Sequence, residues 1–274
     1  MRRFVGRHGR GVLGLAIAGL VVLAAVGAPW LAAHDPAQSD FAASLQPPGS
    51  PGHPLGTDQL GRDLLARVLY GTRVALFIGL CCVLLTAVVG GLLGLLAGYF
   101  EGWTGTVLMR VVDVQLSFPF ILLALTINAI VGLGLRNIIV SLSAAGWVVY
   151  ARVVRGEVLS VKQRDFVHAA QALGVGRARL LLRHVLPNVA PSIIIVASLQ
   201  FAQFIVAEAA ISFLGFGIQP PTPDWGSMLA EGSRSINLAP WAVLAPGLAV
   251  TTLVLSWNIF GARLRTVLDP KRRS

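Results

Sequence analysis

An all-α, polytopic membrane protein with six transmembrane helices is the fold class this sequence predicts, and three observations carry it. Hydrophobic residues make up 55% of the 274 and charged residues only 12%, with a mean hydropathy of +0.74; a soluble domain carries about 25% charged residues. Six apolar stretches, 12–33, 74–98, 107–131, 138–154, 192–214 and 240–262, approach or exceed the roughly 20 residues a bilayer span requires. The basic residues then segregate by side. With the N-terminus inside, 17 of the 22 fall in cytoplasmic segments: Arg2, Arg3, Arg7 and Arg10; Arg110; Arg152, Arg155, Lys162, Arg164, Arg177, Arg179 and Arg183; and Arg263, Arg265, Lys271, Arg272 and Arg273. Arg62, Arg67, Arg73, Arg136 and Arg234 fall outside. This positive-inside bias predicts a multi-pass plasma (inner) membrane protein with both termini cytoplasmic. It also accounts for the net charge of +10 without nucleic acid.

Residues 1–11 form the cytoplasmic N-terminus and 12–33 the first span. The start also resembles a signal peptide ending at Leu31-Ala32-Ala33, but its apolar run exceeds the roughly 7–15 residues of a signal core. An uncleaved helix is therefore expected. Residues 34–73 read as an extracytoplasmic loop, rich in proline and glycine up to Gly56. Within it, Thr57 to Tyr70 reads as a short surface helix capped by Thr57 or Asp58, with Leu60, Leu64, Leu65 and Val68 on one side.

The transmembrane core occupies 74–262, and 263–274 form a cytoplasmic tail. In the second span Gly90, Gly94 and Gly98 repeat at i+4, spacing that lets two helix backbones approach, within one subunit or between two. Cys81 and Cys82 are adjacent there, with neither a disulfide framework nor metal-ligand spacing; no metal site is expected. The third span holds Asp113, Gln115 and the helix-kinking Pro119. Asp113 is expected to form an ion pair near the interface. The fifth span is the most polar. Ionisable groups at that depth face a bundle interior or a wet cavity, so Gln200, Gln203, Glu208 and Ser212 are candidate translocation-pathway residues.

Between the fourth and fifth spans lies the most basic loop, 155–191. Asp165 is positioned to cap a helix, and Phe166, Ala169, Ala170 and Leu173 follow at helical spacing. The two alanines allow a partner close to the backbone. Gly174 supplies a left-handed stop. A second amphipathic piece, Arg177 to Val185, is expected to end at Pro187.

The run Asp165-Phe166-Val167-His168-Ala169-Ala170-Gln171-Ala172-Leu173-Gly174, with His184-Val185-Leu186-Pro187-Asn188 after it, resembles the coupling loop of ABC-importer permeases. Three further stretches resemble the dipeptide/oligopeptide/nickel branch of that family: Leu55 to Asp63 with Tyr70 to Arg73, Glu208 to Gly226, and Leu264-Arg265 with Leu268-Asp269-Pro270. The match runs in order along the whole chain and points to the second, C-type permease of a pair. His168 replaces the family's usual first acidic residue, His184 an apolar one, and Ala262 stands where an acidic residue is common.

The resemblance implies a type I ABC-importer permease that forms a heterodimer with a homologous permease and transports peptides by alternating access. Two ABC ATPase subunits would bind the loop residues Asp165, Phe166, His168, Ala169, Ala170, Leu173, Gly174, Arg177, Arg183, His184, Leu186 and Pro187, and an extracytoplasmic substrate-binding protein would deliver cargo. Gln219, Pro221 and Trp225 are then candidate contacts to the binding protein or the partner permease. Nickel chelates and glutathione are alternative substrates in the same branch. The chain has no Gly-x4-Gly-Lys-Ser/Thr phosphate loop, so ATP and Mg2+ are expected on the partner ATPases, with no cofactor held by this chain. No nucleophile elbow or clustered catalytic set suggests an enzyme. A self-sufficient secondary transporter would need inverted repeats and coupling-ion residues, and Glu208 is the only deep charge.

Overall fold

The computed structural model describes residues 2–100 and 102–268, with side chains from residue 14 onward. Asp269, Pro270, Lys271, Arg272 and Arg273 of the expected tail lie outside the described residues. The long elements are α1 (Arg2–Leu31), α2 (Leu64–Tyr99), α5 (Leu135–Lys162), α8 (Leu186–Phe213) and α10 (Trp241–Leu268). Each is long and apolar enough to cross a membrane. Their outward faces carry leucine, valine, isoleucine and phenylalanine, as lipid requires of a span.

The third apolar segment is broken rather than kinked. α3 (Trp103–Leu116) and α4 (Phe120–Val131) meet at 93° across Ser117–Pro119. Pro119 offers no backbone N–H and sits at φ −58, ψ 126, and the residue before a proline avoids the helical region. Helix α3 therefore stops, and α4 starts in a new direction. Gln115 braces the corner by donating to Ala144 O at 2.8 Å and Ala145 O at 3.1 Å in α5.

Helices α2, α5 and α8 form the centre, with α1 and α10 packed outside them. The glycine row is the seam between α2 and α5. A Cβ on Gly90 would lie 2.2 Å from Trp147 O, one on Gly94 2.6 Å from Ala151 O, and one on Gly98 2.7 Å from Val158 Cβ. That seam lies inside one subunit. Cys82 is buried in the adjoining core with Ile78, Leu142 and Phe204.

The expected surface helix at 57–70 is absent. Helix α2 begins at Leu64 and runs unbroken to Tyr99, about 54 Å of helix against a hydrocarbon core of about 30 Å. Its cap is Asp63, whose Oδ2 accepts from Ala66 N at 2.7 Å. Asp58, proposed as the cap, instead accepts from Leu60 N at 2.8 Å and Arg62 N at 3.0 Å. A short polar side chain that captures nearby backbone donors holds the chain in a turn, and the cap falls at Asp63, five residues beyond Asp58.

Candidate functional site

At the Tyr99 end of α2, the loop between α5 and α8 folds as a short helical lever. Helix α6 (Asp165–Ala172) follows α5 after two residues, and α7 (Arg177–Leu180) leads through a π turn at Leu181–Val185 into α8. Arg164 is the cap of α6 and makes no side-chain cap bond. Asp165, proposed as that cap, instead occupies the first turn, where a carboxylate complements the helix dipole. The stop at Gly174 is a Schellman turn: φ is +78, Gly174 N donates to Gln171 O at 3.0 Å, and Val175 N to Ala170 O at 3.1 Å.

Pro187 does not end the second piece. It is the second residue of α8, and the π turn before it shifts the hydrogen bonding by one residue, with Leu186 N donating to Leu181 O. The proline's missing donor is thereby accommodated, and Arg177–Phe213 forms one continuous 37-residue helical segment.

The lever is anchored by apolar contacts. Val167, Ala170, Leu180, Leu181 and Val185 are buried against Leu95, Val154, Val158 and Val161. Lys162 fastens the same end by donating to Tyr99 O at 3.1 Å. Deeper in the bundle, Ser192 Oγ donates to Glu157 Oε1 at 3.0 Å, joining α8 to α5. Of the two alanines expected to meet a partner, Ala169 faces outward and Ala170 faces in, because Ala170 shares the buried side with Val167. Phe166, Ala169 and Leu173 leave an apolar stripe uncovered, with Leu173 85% and Phe166 40% exposed. His168, Arg177, Arg183 and Pro187 are also exposed, and His184 and Leu186 are half-buried.

The four candidate pathway residues separate. Gln203 lies exposed in a cleft of about 530 Å³ between the start of α4, α8 and α10. Pro119, Phe120, Ala202, Val206 and Val254 contribute its apolar walls. Asn258 of α10 is its second amide. Gln200, Glu208 and Ser212 are buried within the subunit and do not line this cleft. Glu208 is 1% exposed and accepts from Ser212 Oγ at 2.8 Å. Asp113, half-exposed, pairs with Arg152 across α3 and α5. Asn258 was missed by sequence reasoning. The available signal was an amide in the last span, with no polar residue three or four positions to either side of it.

At the opposite end, the Leu55–Asp63 motif is a structural staple. Arg62 Nε donates to Asp58 Oδ2 at 2.7 Å and Arg62 Nη2 to Glu231 Oε2 at 2.6 Å. Arg67 pairs with Asp58 and with the same Glu231 oxygen, the latter at 3.0 Å. Glu231 lies on α9 (Trp225–Ser233), so the network binds the start of α2 to the segment after α8. Trp225 completes that junction. It is 2% exposed, its Nε1 donates to Val68 O at 3.2 Å, and it fills the space left by Gly71, where a Cβ would lie 2.8 Å away. Trp225 is thus an internal packing residue and not a surface contact. Gln219 and Pro221 are exposed.

Comparison with known proteins gives the family. Residues 90–274 match the family described as the inner membrane component of binding-protein-dependent transport systems, and residues 1–48 match the N-terminal transmembrane domain of oligopeptide transport permease C. The chain is 42% identical over 273 residues to a di/tripeptide transport system permease protein of Pseudomonas aeruginosa, covering 97% of this chain and 90% of the relative. It is 39% identical to a glutathione transport system permease protein of Pectobacterium atrosepticum, covering 100% of this chain and 90% of that one. A dipeptide transport system permease protein of Alkalihalophilus pseudofirmus is also 39% identical, with 96% and 86% covered. The chain belongs to the family of binding-protein-dependent transport permeases, in the C-type branch.

Proposed function

We propose that this chain is one half of a permease heterodimer in an ATP-driven importer of short peptides. The observation that carries this reading is the lever. An exposed apolar stripe, Phe166, Ala169 and Leu173, sits on a helix rooted in the α5 and α8 ends, and α7 runs into α8 without a break. ATPase subunits, which hold the ATP and Mg2+, cover that stripe. Their closure displaces α6 as a unit, and the continuous α7–α8 segment carries the displacement into the bundle.

The cleft with Gln203 and Asn258 faces the partner permease and forms half of the pathway. Two amides on an open face inside a lipid-facing band are costly unless they meet water or protein. Amides donate and accept, which suits them to peptide groups passing in either orientation. The lever end is cytoplasmic, with both termini on that side, and the staple end is extracytoplasmic, where a binding protein docks near Gln219 and Pro221. The glutathione permease relative supports a second substrate, itself a small peptide.

The test is purification from the native membrane followed by mass spectrometry of the bound chains. A second permease, ATPases and a binding protein are expected. A chain recovered alone and transport-competent would overturn the reading. Peptide and glutathione uptake by the recovered complex then separates the two substrates.

A further inference from the structure

Three residues far apart in sequence meet where α1 hands over to α2. His34 lies three residues beyond α1, His53 lies in the proline- and glycine-rich loop, and Asp63 caps α2. One donor atom from each lies within 4.8 Å of the other two. The His34 and His53 rings stack with centroids 4.8 Å apart, and His53 Nδ1 lies 2.9 Å from Asp63 Oδ1. His34 stands at the exposed rim, His53 is half-buried and Asp63 is buried.

We propose that His34, His53 and Asp63 form a binding site for a divalent transition cation of the Zn2+ class, clipping the outer loop to the N-cap of α2. The donor set decides the class. Neutral imidazole nitrogens with one carboxylate suit Zn2+ and its first-row neighbours, whereas Ca2+ and Mg2+ take oxygen ligands.

The oxygens of Asp63 are already divided between tasks: Oδ2 holds Ala66 N, and Oδ1 faces His53. The cation can therefore use Oδ1 without uncapping the helix. A tetrahedral centre with bonds of about 2.0–2.1 Å sets its donors about 3.3 Å apart. The His53–Asp63 pair is already near that spacing, and His34 closes the remaining gap by side-chain rotation.

The site is also free of competing charge from its nearest basic neighbours, because Arg62 and Arg67 are turned to Asp58 and Glu231. When the cation binds through His53 Nδ1, the neutral ring carries its one proton on Nε2, and Asp63 Oδ1 becomes a ligand in place of a hydrogen-bond partner. Water takes the fourth position, so the cation is exchangeable. Separations of 19 and 10 residues between the ligands hide the site from any spacing rule.

The test uses the full chain purified in detergent with any affinity tag removed, stripped with chelator and titrated with Zn2+ alone against a chromophoric competitor. One Zn2+ per chain is expected, with affinity reduced at least tenfold in His34→Ala and in Asp63→Asn, whose amide keeps the cap. His168→Ala should bind as the parent does. Circular dichroism and elution volume should be unchanged in His34→Ala. Equal Zn2+ affinity and stoichiometry in the parent and His34→Ala would overturn the proposal, as would parent binding no tighter than that of a His34→Ala/His53→Ala double variant.

Discussion

The two ends of α2 are held in opposite ways. At the Leu64 end, Asp58, Arg62 and Arg67 are buried and paired with one another and with Glu231, and Asp63, Trp225 and Trp241 add directed hydrogen bonds. At the Tyr99 end the lever is held chiefly by undirected apolar packing and leaves its own apolar stripe bare. Ion-pair networks are geometrically demanding, because a buried charge that loses its partner is costly. Apolar seats are more forgiving of small rotations. The difference teaches that directed bonds fix the geometry of the staple end, whereas the seat of the lever leaves room for the movement that the proposed function asks of it.

The sharpest way to break this contrast is Asp58→Ala, which leaves two buried guanidiniums sharing Glu231. A loss of about 3–5 kcal/mol is expected for removing one partner of such a network, read as a fall in melting temperature of the solubilised protein. Glu231→Gln should cost less, since its side chain is 31% exposed. Equal or negligible effects would show that the staple does not hold this end.

Leu173→Asp acts at the other end. Because Leu173 is exposed, stability should stay within about 0.5 kcal/mol, while ATPase recovered on co-purification should fall at least tenfold. Gly174→Val tests the turn itself. Nothing lies within 4 Å of an added Cβ, so the whole cost is left-handed backbone strain, about 1–2 kcal/mol. Peptide uptake should drop severalfold with membrane insertion intact, and Gly174→Asn should be milder because asparagine tolerates that conformation. Undiminished uptake in Gly174→Val would remove the turn from the coupling path. The smallest effect belongs to Gln203→Leu and Asn258→Leu, each expected to raise KM for peptide uptake a few-fold without changing expression level.

The six-span class and the lever were legible because both rest on local pattern: apolar length for the spans, 3.6-residue spacing and a stopping glycine for α6. Partner choice was not local. Leu60, Leu64, Leu65 and Val68 imitate an amphipathic helix, yet the Asp58 side chain takes the backbone donors of Leu60 and Arg62 first. The fifth span's polarity marked Gln200, Glu208 and Ser212, but only packing shows that they turn inward while Gln203 turns to the cleft. Ala169 and Ala170 look equivalent in sequence and are separated only by the core beneath α6. Pro187 read as a stop because the compensating π turn lies in backbone geometry that composition does not encode.

The most direct measurement is site-specific photo-cross-linking in the intact complex, with the photoreactive residue placed at Leu173 and, separately, at Gln219. An adduct between position 173 and an ATPase subunit, with none from position 219, is the expected result. No ATPase adduct at 173, or equal yields from both positions, would contradict the division of the molecule into a gripped end and a stapled one.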